Sequence, residues 1–81
     1  MKKEPIDYDA TYLLWSSTQG KAFGKIWFDR KENRIKADPE DLIEDLEYSI
    51  GQYTPDDGAR FFQAAVRSGN SYSFFIKEEN A

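Results

Sequence analysis

The side chains best suited to chemistry in this chain are carboxylates crowded into one short stretch. Asp38, Glu40, Asp41, Glu44, Asp45 and Glu47 lie close together, and no basic residue stands between Asp38 and Ile50. Three kinds of chemistry use such a cluster. A divalent cation takes several converging oxygens, usually from a loop. A two-carboxylate hydrolase needs its Asp/Glu pair on either side of a pocket. A docking face for a cationic partner needs only that the charges point outward. Asp41 with Glu44 or Asp45, and Glu40 with Glu44, stand at helical neighbour spacing, which lays them along a surface. That spacing favours docking, although the same pattern also describes a plain solvated helix face. Asp56-Asp57-Gly58 is superficially like a calcium loop, but the alternate acidic positions and the closing Glu are missing.

The rest of the composition narrows the chemistry further. The chain has no histidine and no cysteine. Ser-His and Cys-His catalysis, thiolate metal sites and disulfides are therefore excluded. With 81 residues there is little room for a deep, dry pocket. The expectation is a non-catalytic protein with no metal and no cofactor. Met1-Lys2-Lys3-Glu4-Pro5 leads into no apolar run, and no stretch approaches a membrane span. A soluble, cytoplasmic protein is expected.

The elements that must position the carboxylates follow from periodicity. At about 100° per residue, Leu42, Ile43, Leu46 and Ile50 form one apolar stripe. Glu40, Asp41, Glu44, Asp45 and Glu47 cover the opposite side. Tyr48 belongs to that acidic side, on the same stripe as Asp41, Glu44 and Asp45. Asp38 is expected as the N-cap, Pro39 as the first helical residue and Gly51 as the stop. Thr54-Pro55-Asp56-Asp57 repeats the start signal, with Asp57 at the reciprocal capping position. The second helix then runs to about Ser68, with Ala59, Phe61, Phe62, Ala65 and Val66 on a broad apolar arc.

Around the helices the pattern turns to strands. Tyr8–Ser16, Lys21–Asp29, Arg34–Ala37 and Ser71–Lys77 are rich in aromatic, β-branched or alternating residues. The expected fold is α+β in β-β-β-α-α-β order, with one antiparallel sheet carrying both helices on one face. Residues 1–81 make a single domain, with loosely ordered ends at 1–7 and 78–81. In the second strand Ala22, Gly24, Ile26 and Phe28 are expected inward. Lys21, Phe23, Lys25 and Trp27 are expected outward. In the last strand Tyr72, Phe74 and Ile76 are expected inward, with Phe75 and Lys77 outward.

That outward face suggests a second site. Phe23, Lys25, Trp27, Phe75 and Lys77 would set aromatic platforms among cations, the arrangement by which sheets stack single-stranded nucleic acid. Lys21-Ala22-Phe23-Gly24-Lys25-Ile26-Trp27-Phe28 resembles the RNA-recognition-motif signature. It has Ala22 for a glycine and Lys25 for a stacking aromatic, and it precedes any helix. Gly24-Lys25-Ile26-Trp27-Phe28-Asp29 is similar to the start of a cold-shock domain, but Arg34-Ile35-Lys36 stands where an aromatic-rich strand belongs. Neither string assigns a family.

Charge divides the same way. Residues 1–37 hold eight basic and five acidic residues, a net of +3; residues 38–81 hold three and ten, a net of −7. The first expectation is therefore a protein-binding module, an inhibitor or adaptor. It docks on a larger basic partner, nucleic-acid-binding proteins among the candidates, through Asp41, Glu44, Asp45, Glu47 and Tyr48. Small acidic inhibitors of the kind phages encode have this profile of size and charge. The alternatives are a single-stranded nucleic-acid binder using the sheet face and a structural subunit of a larger assembly.

Overall fold

The computed structural model of the chain describes residues 6–78. Its strands are β1 (Thr11–Ser16), β2 (Lys21–Asp29), β3 (Arg34–Asp38) and β4 (Ser73–Lys77). Between β3 and β4 come α1 (Leu42–Ile50), a 3-10 turn (Pro55–Asp57) and α2 (Gly58–Val66). The strands form one antiparallel sheet in the spatial order β3-β2-β1-β4. This is the expected α+β layout, with β3 and β4 at the two edges.

Local chemistry closes the hairpins. Between β2 and β3 the Asp29 carboxylate accepts the N–H groups of Lys31 and Glu32 at 2.9 and 3.2 Å. Asn33 takes the left-handed backbone conformation, φ 56°, that Asn tolerates better than most residues. Between β1 and β2 the Gly20 N–H reaches back to the Ser16 carbonyl at 2.7 Å.

Both helices bury their apolar sides on one face of the sheet. Leu42 and Leu46 of α1 and Phe61, Phe62 and Ala65 of α2 share a core with Tyr12, Leu14, Ile26, Ile35 and Ala37. The Phe62 ring lies 5.6–5.9 Å from the rings of Tyr8, Tyr12 and Phe28. Val66 and Phe28 pack at the margin of the core.

Several expectations are corrected. Tyr8 does not open the first strand. Residues 8–10 turn, with the Ala10 N–H on the Asp7 carbonyl at 3.2 Å. The Tyr8 ring is thereby turned onto Phe28 and Phe62. Asp38 does not cap α1, because it is the last residue of β3 and pairs with Lys25. A short turn through a cis Asp38–Pro39 bond follows, and Asp41 takes the N-cap position without a side-chain cap bond. Thr54 and Asp57 likewise make no side-chain cap bond.

The largest correction is in β4. Leu14 opposes Phe75 and Trp15 opposes Phe74. Phe75 therefore shares the core face, whereas Phe74 and Ile76 lie on the uncovered face. Tyr72 precedes the strand and is 70% exposed. The register is set where β4 begins: the Ser17 N–H and hydroxyl bond the Tyr72 carbonyl at 2.9 and 3.1 Å. In β2 the register shifts at a bulge, so Leu14 opposes Gly24 while Trp15 opposes Ala22. That extra residue reverses the parity of the strand's start. Ala22 joins the uncovered face and Lys21 leaves it.

Of the ends expected to be loose, residues 1–5 and 79–81 lie outside the described residues. Asp7 is tied down by its carboxylate, which accepts the Asp9 N–H at 2.9 Å and meets the Lys77 ammonium at 3.0 Å. The Glu78 N–H bonds the Thr11 carbonyl at 2.8 Å.

Two measurements check this packing. Phe62→Ala should cost about 3–5 kcal/mol by urea denaturation, because it opens a cavity beneath three other rings. A midpoint hardly moved would mean the core is assembled elsewhere. The Asp9 N–H, and then Lys77, hold the Asp7 carboxyl below the usual carboxylate range. With a depressed folded pKa, the stability Asp7 contributes is present above its unfolded pKa. It is lost as pH falls through the folded value. A carbon-detected NMR titration of Lys77→Gln should move the Asp7 midpoint only part of the way up, because the Asp9 bond remains.

Candidate functional site

α1 is held down by two buried leucines and leaves most of its surface outside. Leu42 and Leu46 are buried, and Ile43 and Ile50 are half-buried. Leu42 seats closely on the sheet because Gly24 beneath it has no side chain. A Cβ there would lie 3.1 Å from Leu42 Cδ2. The helix stops at Gly51, whose φ of 69° suits glycine and whose N–H bonds the Glu47 carbonyl at 3.0 Å.

With that stripe fixed, the helical repeat sends the candidate residues outward. Asp41, Glu44, Asp45 and Glu47 are exposed, as is Glu40 just before the helix. Tyr48 is 91% exposed. The structure thus brings all five acidic-face candidates onto one surface. Ile50 differs slightly from the expected burial, sitting half-open at the helix end.

The electrostatics of this face are unusual for the molecule. Among the described residues the ion pairs are Arg30–Asp9 at 2.8 Å, Lys36–Glu32 at 3.1 Å and Lys77–Asp7 at 3.0 Å. None involves Asp41, Glu44, Asp45 or Glu47. Basic side chains of the sheet and its hairpin are thus partly neutralised by carboxylates outside α1. Among the described residues no cation stands within ion-pair distance of the α1 carboxylates; Arg34 and Lys36 face Glu44 only across a groove. Glu44 and Asp45 lie in the first turn, where the helix dipole favours negative charge. The face attracts cations over a range of about 10 Å at 0.1 M salt, and Tyr48 offers an amphipathic ring among the charges.

The sheet face opposite the helices does not gather its expected residues. Lys25 and Trp27 are there, paired across the ladder with Asp38 and Lys36. Phe75 faces the core, and Lys77 extends to Asp7. Phe23, 48% exposed, sits at the bulge and lines a groove with Leu14, Leu42 and Asp45. In their place the register puts Leu13, Trp15, Phe74 and Ile76 on the open face. Sequence alternation missed Trp15 and Phe74 because β1 and β4 carry large apolar residues at both parities. The face is also mixed in charge: Asp29 and Asp38 share it with Lys25, Arg34 and Lys36.

A groove of about 580 Å³ runs between β3 and the start of α1, with Trp27, Arg34 and Lys36 on one side and Glu40, Ile43 and Glu44 on the other. Among the described residues no group of three or more His, Cys, Asp or Glu converges to hold a metal ion. No helix among them is long and apolar enough to cross a membrane. No protein-family model, curated protein or solved structure matches the chain.

Tyr48→Ala should change stability by less than about 0.5 kcal/mol. Leu46→Ala, two residues away on the opposite side of the helix, should cost about 2–5 kcal/mol. Urea melts of the two variants check the division of α1 into buried and free sides; equal losses would contradict it.

Proposed function

We propose that this chain is a non-catalytic binding module that docks on a larger basic protein through the outer face of α1. Asp41, Glu44, Asp45 and Glu47 steer the partner, and Tyr48 is the central contact. The carrying observation is that Tyr48 is 91% exposed among carboxylates that, among the described residues, form no ion pair. An exposed aromatic at the centre of a charged patch is the composition of an interface anchor. Surrounding charges raise the rate of encounter and select the sign of the partner. Where the partner's basic surface is a nucleic-acid groove, the carboxylates stand in for phosphates and the module occludes it.

A second reading has an observation of its own. Trp15, Trp27 and Phe74 lie on a sheet face that neither helix covers. Stacking of single-stranded bases on those rings would use Lys25, Lys36 and Arg34 for the phosphates. Asp29 and Asp38 on the same face weigh against it, as does the Lys36–Glu32 ion pair.

One set of proteins separates the two. Tagged wild type, the triple variant D41K/E44K/D45K and W27A are used to capture partners from a lysate of the source, and each is titrated with a labelled oligonucleotide. The docking reading expects a basic protein held by wild type and W27A and released by the triple variant. Its association with wild type should fall steeply with salt, and the triple reversal should slow it on the order of 10–10³-fold at low salt. Capture unaffected by the triple variant, with oligonucleotide binding lost in W27A, gives the site to the sheet.

A further inference from the structure

β3 is an edge strand; among the described residues it pairs with β2 alone. An edge leaves alternate N–H and C=O groups pointing away from the sheet, as a template for another strand. Charged residues ordinarily blunt such an edge, and Arg34 and Lys36 stand on the open-face side of this one. The side toward the helices differs. There the groove takes in the consecutive residues Arg34, Ile35, Lys36, Ala37 and Asp38. Consecutive strand residues point to opposite faces, so this groove straddles β3 and reaches its backbone edge. Its far wall is Glu40, Ile43 and Glu44.

We propose that an extended peptide segment with a cation at every second position adds to the free edge of β3 as a fifth strand. Side chains of an added strand alternate between the two faces of the sheet. Those facing the helices meet half-buried Ile43 with exposed Glu40 and Glu44 beside it. A Lys or Arg suits both features at once: its stem covers Ile43 and its head reaches the carboxylates. The intervening side chains lie toward Trp27, Arg34 and Lys36, where uncharged β-formers fit and further cations do not. Backbone pairing supplies affinity and the alternation supplies specificity. A second copy of this chain is the poorer occupant. Antiparallel β3–β3 pairing keeps both helix layers on one side and sets two acidic helices side by side. The inference rests on the acidic side of α1 being where a partner docks, and adds the conformation and sequence pattern of what docks there.

The test uses the whole protein and labelled peptides, read by fluorescence anisotropy. The probe is acetyl-Thr-Arg-Val-Arg-Val-Arg-Thr-amide. A same-composition isomer has its arginines adjacent. Two further versions carry backbone N-methyl groups, one on the arginine amides and one on the valine amides. Strand addition expects the alternating peptide to bind best. It also expects one N-methyl version to be tolerated and the other to bind about tenfold or more weakly, since only one set of amides faces β3. E40K/E44K should weaken the alternating peptide similarly. Because the N-methyl comparison leaves the protein unaltered, it decides the matter even where that variant fails to fold. Equal binding of all peptides, lost only in E40K/E44K, overturns strand addition while leaving the acidic docking face in place. Binding of none of them overturns strand addition, and the lysate capture then judges the docking face separately. Sedimentation showing a dimer that the alternating peptide cannot dissociate also overturns it, in favour of a second copy on the edge.

Discussion

The ring cluster of Phe62 with Tyr8, Tyr12 and Phe28 is the contact on which the rest of the molecule depends. It joins α2, the turn before β1, β1 and β2 within 6 Å ring separations. A four-stranded sheet has two faces, and two helices of nine residues each cover only one. A chain of this size therefore builds a single one-sided core. α2 fills the middle of that core with Phe61 and Phe62. α1 is left to close one side with Leu42 and Leu46, helped by half-buried Ile43 and Ile50, and needs nothing from its acidic side. The acidic face is free to vary because the packing does not use it.

The same economy of burial exposes three other features: the aromatic open face of the sheet, the β3 edge and the groove beside it. Their charges differ in a way that matters. On the open face the cations have carboxylates for neighbours, and Lys36 is already paired with Glu32. On α1 the carboxylates form no ion pair among the described residues. Exposed pairs contribute little to folding, so the imbalance bears on association. Within a Debye length a patch of one sign steers an approaching partner, whereas the charges of a mixed face largely cancel.

Much of this was legible in the sequence wherever one period dominated. The α1 stripe of Leu42 and Leu46, the outward Tyr48 and the stop at Gly51 follow from helical spacing and glycine chemistry. The order of the elements along the chain follows from alternation and helical spacing. What could not be read was parity where both faces are apolar. Phe74 and Phe75 are indistinguishable to a period of two, and only the hydrogen bonds from Ser17 to Tyr72 decide which turns inward. The bulge at Phe23 was hidden for a related reason, since an inserted residue reverses the pattern without a sequence mark. Asp38 was misplaced because two local preferences competed. Its capping propensity lost to pairing with Lys25 in the ladder. The shared exposure of Asp41, Glu44, Asp45, Glu47 and Tyr48 was legible because it depends on one helix alone, while the grouping of the sheet-face residues depended on the register of three strands.

The central claim is that partners meet this molecule on the outer side of α1. Amide hydrogen exchange of the free protein and of its purified complex tests this most directly, because it maps the contact without altering a residue. The account predicts slowed exchange in Asp41–Gly51, at the acidic helix, with the backbone of β1 and β4 unchanged. Protection confined to β1 and β4, beneath Trp15 and Phe74, with α1 exchanging as in the free protein, would contradict it.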